Sequence, residues 1–249
     1  MSDIGRLVCG EPIYEGLAKS ALLQLSNSVD SFASRAVKIL EEGAPDEVRA
    51  LGPFFARVLL ENSCAALVGR LDTFRILYLS EFQGQPEYEH GRRAKSAFSW
   101  FGDVMPPEEK NPELWSIDHD TSKISRALFS KHIDHVCWQP AVENMLDYVS
   151  ANGADPLLRE ILSLGSETYI KKTKGQGQQL YSTLSKGVHW EFFNNALLFD
   201  EATVKSAVRD TCLMVSHLGL VSHFIPTAYA SLQPQDALEA YLSFRKKVP

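Results

Sequence analysis

Apolar residues recur at spacings of three and four along most of this chain and nowhere alternate with polar ones over a useful length. The first spacing is that of one helix face, and the missing one is that of a half-buried strand. In residues 12–42, Leu17, Ala21, Leu25, Val29, Phe32, Ala36 and Leu40 form such a face, with Pro12 at the first turn and Gly43-Ala44-Pro45 as the stop. A second helical region runs from about 46 to 82, jointed at Gly52-Pro53. Its middle, FFARVLLENSCAALVGRL, is apolar almost all round, as expected of the central helix of a bundle. The charged Arg57 and Glu61 within it must be paired or line a cleft, because burying either alone is costly.

Residues 83–116 read as a short helix ending near Trp100 and a proline-rich loop, DVMPPEEKNPELW. Further helices are predicted at 117–137, 140–152 and 156–172, then a basic loop, KKTKGQGQQ, broken by two glycines. A helix over 178–193 follows, then a turn at FNNALLFD and a long helix capped by Asp200 that continues toward Ile225. Pro226 interrupts it, and PQDALEAYLSFRKK forms a last amphipathic helix. The reading is all-α: one bundle of about eight to ten helices over residues 1–249, with no significant sheet and a candidate subdivision near 102–114.

Charge narrows the partners. A formal net charge of −6 on 249 residues argues against general DNA coating, which needs many phosphate-neutralising side chains, but leaves room for a local basic groove. Cys9, Cys64, Cys137 and Cys212 are widely spaced without a CxxC, as in reduced thiols of a cytosolic protein. The start, MSDIGRLVCGEP, lacks the apolar core of a signal peptide, and no run approaches the roughly 18 apolar residues of a membrane span. The expectation is a cytoplasmic protein without a membrane anchor.

Motif absences remove several chemistries. There is no phosphate-binding P-loop, no HExxH and no GxSxG, and Gly175-Gln176-Gly177 lacks the third glycine and the preceding strand of a dinucleotide fingerprint. His132, His135 and Cys137, with His119 and Asp120 upstream, come nearest to a metal cluster, but no second pair has zinc spacing. Neither a metal nor a cofactor is expected.

The most informative stretch is YSTLSKGVHWEF. On a helix Tyr181, Ser185 and His189 form one stripe of a phenol, a hydroxyl and an imidazole. Two readings stand side by side. One is a polar seam holding packed helices in register, with His189 bonded to a carbonyl or to the Arg57–Glu61 pair. The other is a general acid/base histidine beside an arginine.

Tyr181-x-x-Leu184-Ser185-x-x-Val188-His189, with Arg57-x-x-Leu60-Glu61 far upstream, resembles a group of bacterial helical proteins that pair an R-x-x-L-E helix with a Y-x-x-L-S-x-x-V-H helix. That group is similar in outline to the HEPN superfamily, many of whose members act in toxin–antitoxin and antiphage systems, some as metal-independent ribonucleases. The resemblance spans about residues 46–225. It implies that His189 exchanges protons with a ribose 2′-hydroxyl or the leaving oxygen, that Arg57 steadies the phosphate, and that Glu61 orients Arg57. Tyr181, Ser185, Lys172 and Lys174 would position RNA. It also implies a homodimer or a protein partner. The superfamily's R-x(4–6)-H motif has one literal match, Arg126-ALFSK-His132, where Ala127 replaces the usual polar residue and six helical residues would turn the two side chains about 120° apart. Any arginine partner of His189 is therefore tertiary. The alternative to an RNA-acting effector is a non-catalytic helical subunit whose polar stripe is structural and whose output is partner binding.

Overall fold

The computed structural model describes residues 2–89, 97–107, 113–117, 120–153, 155–189 and 200–249. The α-helices are α1 (Asp3–Cys9), α2 (Leu17–Glu42), α3 (Pro45–Leu71), α4 (Thr73–Gln83), α5 (Lys131–Ile133), α6 (Gln139–Asn152), α7 (Arg159–Leu162), α8 (Ser166–His189), α9 (Glu201–Ser222) and α10 (Pro234–Arg245). Among the described residues there is no strand, only an isolated bridge between Phe101 and Met105. The protein is an all-α multi-helix bundle.

α3 lies at its centre, packed on α2, α8 and α9. Leu59, Leu60, Cys64, Ala66 and Leu67 are all fully buried, so several faces of this helix meet neighbours, as its unpatterned apolarity requires. By length and composition α3 could also cross a membrane, but more than half of its apolar window is buried within the fold. α1 closes the bundle against α2, α9 and α10.

Several boundaries differ from the sequence reading, each for a physical reason. Pro12 is not in a first turn: α2 begins only at Leu17, after Gly16 with φ 142°, and Glu11 N–H bonds instead to Ala230 O at 2.8 Å. α3 runs through Gly52-Pro53 without a joint, because Gly52 lets α9 come close; a Cβ there would lie 2.7 Å from Val204. The break falls at Asp72 instead. Residues 120–129 form a short 3₁₀ turn and irregular chain rather than a helix, since Leu128 and Phe129 give their N–H groups to Asp103 and Val104 at 2.9 and 3.1 Å. Residues 193–199 of the predicted FNNALLFD turn and the end of the helix predicted over 178–193 lie outside the described residues.

The largest correction concerns KKTKGQGQQ, which is not a loop but the middle of α8. Tyr169, Ile170, Thr173, Gly177, Leu180 and Leu184 are all buried, a three-and-four spacing that continues through the glycines. A Cβ on Gly177 would lie 2.8 Å from Met214 Cε, so that glycine marks close packing on α9 rather than a turn.

Candidate functional site

α3 and α8 bring together residues 124 positions apart: Arg57 Nη2 donates to the Tyr181 hydroxyl at 3.0 Å. Arg57 Nε donates to Glu61 Oε1, one turn along α3, at 3.1 Å. The guanidinium carbon lies 4.7 Å from the centroid of the Tyr181 ring, within cation–π range. Arg57 Nη1 has no hydrogen-bond partner among the described residues.

The other face of Tyr181 is covered. Trp100 stacks on it with centroids 4.5 Å apart and planes 5° from parallel, and Phe101 meets it edge-on at 6.0 Å. This loop is held rigidly. Arg75 of α4 forks onto both oxygens of Asp103 at 2.8 and 2.9 Å, and Ser99 N–H donates to the same carboxylate. Gly102, at φ 114°, turns the chain where a side chain would be strained. The result is a layered stack of Arg57, Tyr181 and Trp100. Trp100 is 4% exposed, and its buried Nε1–H has no partner among the described residues.

Ser185 does not present its hydroxyl outward; it donates back to Tyr181 O at 2.7 Å. His189 is the last residue of α8, two turns beyond Tyr181, and its side chain lies outside the described residues. Lys174 lies on the same face of α8 as Tyr181, seven residues earlier. With Gln178, Phe101 and Lys131 it lines a cleft of about 550 Å³. Lys131 also donates to Glu113 O at 3.0 Å. Phe101 is exposed at the edge of this cleft. Lys172, nine residues before Tyr181, projects from the opposite side of α8 and is not part of this group.

The other sequence candidates have separate duties. Arg126 pairs with Asp72 at 2.7 Å, whereas His132 is buried and bonds Leu114 O through Nε2 at 2.8 Å, so the literal R-x(5)-H match forms no pair. Trp115 meets both His132 and His135 edge-on. Among the described residues no group of three metal-ligating side chains converges. The cysteines are unpaired; burial pushes the Cys9 and Cys212 thiols up to about 12 and raises Cys64 further, which makes them inert packing groups.

A second polar centre escaped the sequence reading. Arg70 is fully buried and faces only neutral groups. Its fork donates to Tyr229 O (3.0 Å), Val8 O (3.4 Å), Ser222 Oγ (2.5 Å), His223 Nδ1 (3.2 Å) and Ser231 Oγ (3.1 Å). His223 Nδ1 also accepts from Leu232 N–H, so Nε2 carries the proton that it gives to Leu7 O at 2.8 Å. Burial holds Arg70 down to about 10, and burial with the Arg70 charge drives His223 well below its ordinary range. This knot ties α1, α3, the end of α9 and the 226–233 loop together. The signal in the sequence was a lone arginine closing an apolar run.

Comparison with protein-family models, with curated proteins and with solved structures finds no match.

Proposed function

We propose that this protein is a HEPN-like helical effector that acts on RNA at the seam between α3 and α8. The observation that carries this reading is the contact of Arg57 with Tyr181, two positions singled out by separate motifs 124 residues apart. Arg57 retains an Nη1 with no bond among the described residues. Lys174 and Gln178 extend the same face toward the cleft, where exposed Phe101 gives an unstacked base an aromatic surface. In this reading Arg57 neutralises phosphate charge, Glu61 fixes its orientation, and His189 moves the proton of the 2′-hydroxyl or leaving oxygen.

Metal-free protein incubated with single-stranded RNA tests the proposal. His189→Ala is expected to lower cleavage by about 10²–10⁴-fold while leaving thermal unfolding unchanged. Equal cleavage by wild type and His189→Ala sinks it.

One observation favours a second reading, a non-catalytic subunit that binds a protein partner. Arg57, Glu61, Tyr181 and Ser185 all find bonds inside the fold, as in a structural seam. On that reading wild type cleaves nothing, and Arg57→Ala costs stability of about 1–3 kcal/mol, the usual loss for a charged hydrogen-bonded group, with no change in any activity.

A further inference from the structure

α4 buries one side chain, Ile76, packed so closely on Gly69 of α3 that a Cβ there would lie 2.8 Å from its Cδ1. Its outer face carries Phe74, Tyr78 and Phe82, one turn apart and all exposed. Their rings form a file, with centroids 6.3 Å apart from Phe74 to Tyr78 and 6.1 Å apart from Tyr78 to Phe82. A turn after the helix brings Tyr88 edge-on to Phe82 at 6.0 Å, which extends the file to four rings. Near its N-terminal end the chain between α1 and α2 adds Ile13 and Tyr14, 82% and 78% exposed. A groove of about 650 Å³ runs there between Tyr14 and Leu17 on one side and Phe74 and Tyr78 on the other. The ring contacts order this face without burying it: Phe74 is 70% exposed, and Tyr78, Phe82 and Tyr88 are 37–45% exposed.

We propose that this face pairs two copies of the chain about a two-fold axis through Tyr78. Monomeric proteins rarely leave contiguous apolar patches larger than a few hundred Å² open. At about 200 Å² for a large side chain, the exposures above leave on the order of 700 Å² open. A stable pair needs about 800 Å² from each partner, and the polar rim supplies the remainder. In such a pair the same patch faces itself, so its residues must match across the axis. Phe74 and Phe82 lie four residues before and after Tyr78, about 6 Å each way along the helix. Antiparallel α4 helices therefore set each Phe82 against Phe74 of the second copy, at the edge of its groove. The charges match as well. Glu81, on the groove side of α4, forms no ion pair among the described residues. It lies three residues after Tyr78, and Arg75 lies three residues before it on the opposite flank. The same rotation brings each Glu81 to face Arg75 of the second copy, whose side chain is 25% exposed while it holds Asp103. At the groove itself Lys19 and Glu15 satisfy each other at 2.5 Å, so neither repels the second copy.

Sedimentation equilibrium of the full chain, from low to high micromolar concentration, tests the pairing. The expected species has twice the 27.8 kDa mass of the chain. Tyr78→Lys sets two ammonium groups against each other on the axis, and should raise the dimer dissociation constant by at least about thirtyfold, the scale of a hot-spot loss. Glu81→Arg faces Arg75 with a like charge and should raise it about fivefold. Both positions are exposed, so circular dichroism of each variant should match wild type. In a Cys137→Ser background the remaining cysteines are buried, and Tyr78→Cys should then join two chains through its own thiols on air oxidation. A wild type that stays monomeric overturns the proposal and leaves this face to a partner of another kind. A dimer of unchanged affinity in Tyr78→Lys, or one that the Tyr78→Cys thiols do not join, overturns it too, since the contact then lies elsewhere. None of these substitutions touches Arg57, Tyr181 or His189, so pairing and RNA cleavage are read separately.

Discussion

A half-buried arginine, Arg57, and a buried one, Arg70, on the same helix illustrate how partners decide what a charge does. Arg57 keeps part of its guanidinium uncommitted beside a carboxylate and an aromatic face, an arrangement that can receive an anion. Arg70 spends its fork on carbonyls, hydroxyls and an imidazole, with no carboxylate among its bonded partners. Such a fork is planar and divergent, and a lysine ammonium cannot reproduce it. Arg70→Lys is therefore expected to cost about 2–4 kcal/mol in urea unfolding, and His223→Ala about as much, since it strands Leu7 O, Leu232 N–H and one Arg70 nitrogen. A loss below about 0.5 kcal/mol for both would show that the knot is incidental.

At the scale of elements, α8 separates what local pattern reveals from what it hides. Lysine and glutamine around Gly175 and Gly177 are good helix formers, but two glycines in three residues outweigh them in any local reading. What restores the helix is its buried face, with α9 closing on Gly177 through Met214, a tertiary fact. The two glycines then predict different things. A Cβ at Gly175 meets nothing within 4 Å, so Gly175→Ala should stabilise the protein by about 0.5–1 kcal/mol through helix propensity alone. Gly177→Leu should destabilise it by overpacking against Met214. Equal, negligible effects in chemical unfolding would mean that this segment is not a helix in solution. By contrast, the Asp200 cap was legible from sequence and is realised, with Asp200 Oδ1 accepting from Thr203 N–H at 2.7 Å. So were the apolar face of α2, the centrality of α3, and the need of Arg57 and Glu61 for partners. The Trp100 loop was not, because its shape depends on Arg75 reaching Asp103 across 28 residues and on Gly102 adopting a positive φ. Arg70 was not, because its acceptors are mostly main-chain and hydroxyl oxygens, which carry no charge pattern to read.

For the molecule as a whole, the two histidines at the C-terminal end of α9, His217 and the capping His223, make stability depend on pH. His217 sits among Tyr241, Glu160 and Arg245, and His223 among Arg70, Arg6 and Leu7 O; desolvation is the main cause in both, and both are held neutral in the folded state. In the unfolded chain each titrates near its ordinary value of about 6.5. Unfolding between that pH and the folded pKa, about 4 for His217, therefore takes up protons. Because the unfolded state binds more protons there, stability rises with pH across this window and is lost as pH falls through it. Asp210 and Asp134, whose carboxyls burial holds above their usual range, act in the opposite sense, but their effect begins at more acid pH and fades above their folded pKa. From about pH 7.5 to about pH 5 the histidines set the sign, and the expected loss is on the order of 2–4 kcal/mol, at about 1.4 kcal/mol per proton per pH unit. Urea midpoints measured across this range should fall steadily below about pH 6.5, and His217→Gln should flatten the slope by roughly half, since it removes one of the two protons taken up. A midpoint independent of pH, or a slope unchanged in that variant, would mean that these imidazoles are solvated and charged in the native state, and that the packing of α9 against α1 and α10 is looser than described.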